Sequence, residues 1–205
     1  MLKLSFIYYT KFEHKRFGLS WYNLNMRILI INGSHRKGNT DIAIKKIKEK
    51  LIETTDTVDV LNLKDIEIKL PDGCEICAES GICPHIKDEF SEKIEPSIRN
   101  YDTYIIATPI WCDGVTPLTK IFWDRIVSWC HKDRMYLKGK KLAIVVHGMA
   151  DENSWDLAVN WIKGVCSWEG SLFAGSFKFK SSPKVGIIQV DKNALSTFIK
   201  NIIKI

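Results

Sequence analysis

From Arg27 onward, short apolar runs alternate with stretches whose apolar residues recur every three or four positions. "RILIIN" (27–32), "TVDVLNL" (57–63), "TYIIAT" (103–108) and "KLAIVVHG" (141–148) read as strands, and 172–179 is strand-like. Between them the spacing predicts helices over 39–53, 87–99, 117–131, 154–168 and 191–203. The first of these places Ala43, Ile44, Ile47 and Leu51 on one face, and Pro117 takes the first-turn position of the third, where proline is tolerated. "ILII" and "AIVV" are apolar at every position, as strands covered on both faces require. Five strands alternating with five helices predict an α/β fold of three layers around a five-stranded parallel sheet. In such a sheet ligands bind beyond the carboxyl ends of the strands, at the point where strand order reverses.

The 205 residues suit one domain with a sizeable core. The segment before Met26 lacks clear periodicity. Residues 1–25 are therefore expected to be a poorly ordered extension or the product of an early start, and 26–205 the folded domain. With no long apolar region or small-residue cleavage site, this segment does not read as a secretory signal. No apolar run is long enough to span a bilayer. The net charge is +6, and Lys3, Lys11, Lys15 and Arg16 against Glu13 supply +3 of it. Elsewhere lysines are interspersed with acidic residues, a solvated surface rather than the basic stripe of a nucleic-acid binder. Six cysteines without secretory context point to a reducing, cytoplasmic compartment, with thiols buried, metal-bound or redox-active.

Candidate chemistry begins at "INGSHRKGNT" (31–40). Gly33, Gly38 and Thr40 match the spacing of a nucleotide-hydrolase P-loop, but Asn39 replaces its lysine. Glycines that let a ligand approach the backbone, a helix N-terminus, and Ser34, Arg36, Asn39 and Thr40 together suit an anion. Without the lysine that reaches terminal phosphates, one phosphomonoester fits better than a triphosphate. Two further loops follow strand ends. "TPIWCDGVT" carries Pro109, Ile110, Trp111, Cys112, Asp113, Gly114 and Val115, which suit a flat ring with polar edges; Trp111 as a core residue is the alternative. "HGMADENS" adds His147, Gly148 and Met149 at the same edge. Cys74, Cys77 and Cys83 lie in a turn-rich stretch and have the chemistry to bind a metal or cluster, or to remain thiols in a loop that shapes the site. Cys130 and Cys166 fall on predicted helices as buried apolar residues.

"NGSHRKGNT", "GCEICAESGICPHIKDEF" and "TPIWCDGVTPLTKIFWDR" together resemble the NAD(P)H-dependent FMN reductases of the flavodoxin-like superfamily, including their iron–sulfur flavoprotein branch. The resemblance runs in order from Met26 to about Met149. It implies a flavodoxin-like fold and one FMN. Ser34, Arg36, Gly38, Asn39 and Thr40 would cradle the phosphate. Pro109, Ile110, Trp111, Cys112, Asp113, Gly114 and Val115 would run along the isoalloxazine ring, with Trp111 where the family often has tyrosine. His147 and Gly148 would contact the flavin. The branch with a cluster uses C-x2-C-x2-C-x5-C, whose first position is here Pro71, so a cluster on Cys74, Cys77 and Cys83 needs a fourth ligand such as Cys112 or His85.

The implied activity is an oxidoreductase. It passes reducing equivalents from NAD(P)H through FMN to a small acceptor: a quinone, nitro compound, flavin or iron. The chemistry lies at flavin N5, so no catalytic side chain is expected. A homodimer is implied as well. The alternatives are an electron carrier of flavodoxin or iron–sulfur flavoprotein type, against which the basic charge counts, and a non-catalytic flavin-binding redox sensor.

Overall fold

The computed structural model describes residues 26–55, 57–80, 87–126 and 137–204. Cys83, His85, Cys130, the 1–25 extension and the end of the helix expected at 117–131 lie outside them. The strands are β1 (Arg27–Asn32), β2 (Thr57–Asn62), β3 (Thr103–Pro109), β4 (Lys141–Gly148), β5 (Leu172–Ser181) and β6 (Ile188–Gln189). The helices are α1 (Asn39–Leu51), α2 (Cys77–Ser80), α3 (Glu95–Ile98), α4 (Pro117–Arg125), α5 (Asp156–Glu169) and α6 (Lys192–Ile203).

The sheet order is β2-β1-β3-β4-β5-β6, and β1 to β5 are parallel. The expected five parallel strands are present, and a sixth corrects the count. Two residues of β6 pair antiparallel with Lys180 and Ser181 at the edge. So short a strand has no periodicity to show in sequence. Between β4 and β5 the register slips near Leu142 and Ala143, where Gly175 has φ 129. A side chain is strained at that angle, and a bulge there is ordinary for glycine.

Strand alternation sorts the core into two. Leu29 and Ile31 of β1 and Leu142, Ile144 and Val146 of β4 face α3, α4 and α5. Ile28, Ile30, Ala143 and Val145 face α1 and α6, meeting Ile44, Ile47, Phe198 and Ile202. β1 and β4 are covered on both faces, which is why "ILII" and "AIVV" are unbroken.

The helix expected over 87–99 is not regular. Phe90–Ile94 forms a π turn, in which the Glu95 N–H reaches back to the Phe90 carbonyl, before α3 begins. Pro96 has no N–H to donate and crowds the carbonyl four residues back, so the preceding turn widens. Beside it Asp88 and Arg125 form a buried ion pair, Nη1 to Oδ2 at 2.5 Å and Nη2 to Oδ1 at 3.3 Å. The Lys69 N–H donates to the same carboxylate at 2.8 Å, and the Ser91 N–H and hydroxyl donate at 2.9 and 2.8 Å. Arg125 also donates to the Lys69 carbonyl at 3.1 Å. One carboxylate thus closes the stretch that carries Cys74 and Cys77. Burial pushes the Asp88 carboxyl up, but the hydrogen bonds from Arg125, Lys69 and Ser91 outweigh it and hold the group well below the usual carboxylate range.

Asp88→Asn leaves the Arg125 guanidinium buried and unpaired, and should cost about 3–5 kcal/mol in urea unfolding. Because the folded carboxyl is depressed, its contribution is complete above the ordinary value of 3.8 and is lost as pH falls below it. The variant should therefore show a weaker acid-side loss of stability than the wild type below that pH.

Candidate functional site

Strand order reverses between the parallel neighbours β1 and β3, and the carboxyl ends of those strands meet at Gly33. Its N–H donates to the Ala107 carbonyl at 2.8 Å, and its carbonyl accepts from the Thr116 hydroxyl at 2.6 Å. A Cβ at Gly33 would lie 1.9 Å from the Thr119 hydroxyl, so no side chain fits there. Thr116 caps α4, accepting from the Thr119 N–H at 3.2 Å.

At the start of α1 the Gly38 N–H donates to the Asp41 carboxylate at 2.6 Å. Asn32 Nδ2 donates to the other Asp41 oxygen at 3.1 Å and to Asn62 at 3.0 Å. The first-turn amides of Asn39, Thr40 and Asp41 have no acceptor within the helix and face outward with the positive end of its dipole.

A cleft of about 440 Å³ opens there, within the range of small-molecule sites. Ser34, Arg36, Gly38, Asn39, Thr40, Pro109, Ile110, Trp111, His147 and Gly148 all line it. The structure therefore brings the three candidate loops together. It does not bring in Cys112, Asp113, Gly114 and Val115. Trp111 and Gly114 exchange backbone hydrogen bonds of 2.9 Å, closing a tight turn with Cys112 at φ 46 and Asp113 at φ 62. Two left-handed residues are the hairpin geometry that usually calls for Asn and Gly, and without glycine they cost about 1 kcal/mol each. Cys112 and Asp113 stand exposed on the tip, and Val115 packs against the core. Trp111 is 53% exposed, so it is a rim residue and not the core residue of the alternative reading. Its ring stacks on His35, centroids 5.1 Å apart.

Met149, next to His147 and Gly148 in "HGMADENS", also lines the cleft, and residues not singled out from the sequence complete the wall: His35, Ser181, Ser182 and Pro183. Ser181 ends β5, and Ser182 and Pro183 begin a strap between β5 and β6. Asn39 Nδ2 donates to the carbonyls of Ser182 at 2.8 Å and Lys184 at 3.2 Å, and Oδ1 accepts from the Gly186 N–H at 2.8 Å. Arg36 Nη2 donates to the Pro183 carbonyl at 3.1 Å. The Asn39 side chain is thus committed to the strap, and what it offers an anion is its backbone amide. Ser34 likewise turns its hydroxyl to the Arg36 carbonyl at 2.8 Å. "SSPKVG" follows the carboxyl end of the fifth strand, and that position is the signal that marks it as site-forming.

His147 joins the phosphate loop to the end of β5. Its Nε2 lies 2.7 Å from the Thr40 hydroxyl and its Nδ1 2.8 Å from the Ser181 hydroxyl, with Phe179 stacked on its face. Burial, with Arg36 adding to it, pushes its pKa down to about 4. The imidazole is neutral at physiological pH.

Among the described residues, no three of His, Cys, Asp and Glu group as a metal site. Cys74 is exposed and Cys77 half-buried. Neither lines the cleft.

Residues 26–161 match the family described as NADPH-dependent FMN reductase. The chain belongs to this family. Among its curated relatives is an iron–sulfur flavoprotein of Archaeoglobus fulgidus, 34% identical over 49% of this chain and 48% of the relative. The chain spans about half the length of the curated relatives it matches. A solved NADH:FMN oxidoreductase in its apo form superposes with a TM-score of 0.60 at 20% identity, covering 87% of each chain. The flavodoxin, WrbA-like protein of Agrobacterium tumefaciens gives 0.54 at 12% identity, over 87% of this chain and 94% of that one. The family member's fold is therefore flavodoxin-like. The strap lies beyond the matched residues.

Two expectations test this geometry. Asn39→Ala removes three strap hydrogen bonds and should speed hydrogen exchange at Gly186 by tenfold or more, for about 1–3 kcal/mol of global stability. For His147 the folded pKa lies below the ordinary 6.5, so its contribution to stability is complete above that pH. As pH falls from 6.5 toward 4 the unfolded chain takes up a proton that the fold refuses, and stability should drop by about 1.4 kcal/mol per unit. Urea midpoints across that window, with His147→Gln lacking this component, check it.

Proposed function

We propose that this chain binds FMN in the cleft and works as an oxidoreductase, passing reducing equivalents from NAD(P)H to a small acceptor. One observation carries the reading. A helix N-terminus with unpartnered first-turn amides and an aromatic rim face the same cleft at the sheet's switch point. That is the placement a ligand with a phosphate at one end and a flat ring at the other requires.

The donor set fits a single terminal phosphate. The α1 amides, the Thr40 hydroxyl and the remaining N–H groups of Arg36 are available to it. Asn39 stands where a polyphosphate site has its lysine, the loop's Lys37 does not line the cleft, and the Asp41 carboxylate is taken up by Gly38 and Asn32. Pro109, Ile110 and Trp111 would border the ring, with Gly148 and Met149 across from them. Gly148 is held close by Trp155, whose indole a Cβ there would meet at 3.2 Å. When bound, FMN supplies the electron transfer between nicotinamide and acceptor. The protein's part is to seat, orient and shield it, so no triad or acid–base pair is needed.

Quinones, nitro compounds, flavins and iron are the acceptor classes. The exposed, flat Trp111 surface favours a planar aromatic one. A homodimer accords with the exposed Trp111 and Met149 beside the cleft, a surface a second copy would cover.

Purified protein loaded with FMN should hold about one flavin per chain and oxidise NADH or NADPH when a quinone is added. Bound flavin without turnover on any acceptor class would favour the carrier or sensor reading. Failure to bind flavin would overturn the proposal.

A further inference from the structure

Ser181, His147 and Thr40 form one hydrogen-bonded row from the end of β5 to the first turn of α1, and only one arrangement of its protons leaves Thr40 able to donate to an anion at the helix end. The ring is neutral, so one nitrogen donates and the other accepts. If Nδ1 carries the proton, it donates to Ser181, and Nε2 must accept from Thr40. The one hydroxyl proton of Thr40 is then spent on the ring, and its oxygen offers only lone pairs at the helix end. If Nε2 carries the proton, it donates to Thr40 Oγ1, and Nδ1 accepts from Ser181. The Thr40 proton is then free to point at a phosphate oxygen.

We propose that Ser181 is a positioning residue for the FMN phosphate: its hydroxyl donates to Nδ1 of His147, so that Nε2–H faces Thr40 and the Thr40 hydroxyl can donate to the phosphate. The inference rests on the FMN reading above. Its physical basis is the pair of contacts of 2.7 and 2.8 Å on the two ring nitrogens, with Thr40 and His147 both buried. Phe179, stacked at 4.7 Å and 17° to the imidazole, holds the ring plane so that both contacts persist. Arg36 beside the row supplies charge but cannot accept a proton, so it does not compete for the hydroxyls. Ser181 lies outside the residues that match the family, so this row joins the family's phosphate loop to a part of the chain that the match does not cover.

The test compares FMN with riboflavin, which has the same ring and no phosphate. Ser181→Ala should weaken FMN binding about tenfold and leave riboflavin binding within about twofold, because a hydrogen bond to a charged group is lost. Ser181→Thr, which keeps the hydroxyl, should restore FMN affinity. In a Thr40→Val background Ser181→Ala should cost nothing further, since the proton it positions is gone. Nitrogen-15 spectra of the FMN-loaded wild type should show the Nε2–H form of His147, and Ser181→Ala should shift the ring toward the other form. An Nδ1–H ring in the loaded protein would overturn the proposal, because Ser181 would then be the free donor. Equal losses for FMN and riboflavin, or a full Ser181→Ala cost without Thr40, would overturn it too. If neither flavin binds the wild type, the functional reading itself has failed.

Discussion

Everything at the cleft hangs from the missing side chain of Gly33. Its Cα sits so close to Thr119 that even a methyl group would overlap the hydroxyl, and its peptide is bonded on one side to β3 and on the other to the cap of α4. The ends of β1, β3 and α4 consequently move as one body. The phosphate loop departs from one side of that junction and the Trp111 turn from another. A residue with a Cβ at position 33 would have to part the two loops, and with them the two ends of the ligand site. The turn at Cys112 and Asp113 can keep its unfavourable angles because it is anchored this close to a rigid joint.

The charge logic follows from the same geometry. Nucleotide hydrolases meet several phosphate charges with lysine and a metal. Here the proposed anion site offers peptide dipoles, one hydroxyl and an arginine already tethered to the strap. Such a site supports a small, localised charge, and neutral His147 beside it neither adds to nor cancels that charge.

Much of this was legible in the sequence because it is local. The unbroken apolar run of β1 and the face made by Ala43, Ile44, Ile47 and Leu51 appear in the structure as expected. The three loops converge because parallel topology puts the carboxyl ends of the strands on one side. What escaped is the strap. Asn39 reads as a phosphate ligand by its place in the motif, yet its partners are main-chain groups 143 to 147 residues away, and any residue type presents those. The break at the π turn was legible but passed over: Pro96 is the tenth residue of the stretch expected as a helix over 87–99, too deep for the first-turn position where proline is tolerated. The row through His147 needed coordinates as well, since a histidine at a strand end says nothing of what flanks each nitrogen.

The tie at Asp88 has a meaning for how this scaffold varies. Lys69 and Asp88 are 19 residues apart in sequence yet directly bonded, so the stretch that carries Cys74 and Cys77 is tied at its two ends. Among the described residues inside the tie, 70–80 are exposed except for half-buried Cys77, and none belongs to either core cluster. A cysteine in place of Pro71, or the loss of Cys74 or Cys77, would change the loop's chemistry and leave the flavodoxin-like frame as it is. The tie at Asp88 thus separates what the exposed stretch carries from what the two cores need, so its side chains bear on local chemistry and the ion pair on the frame.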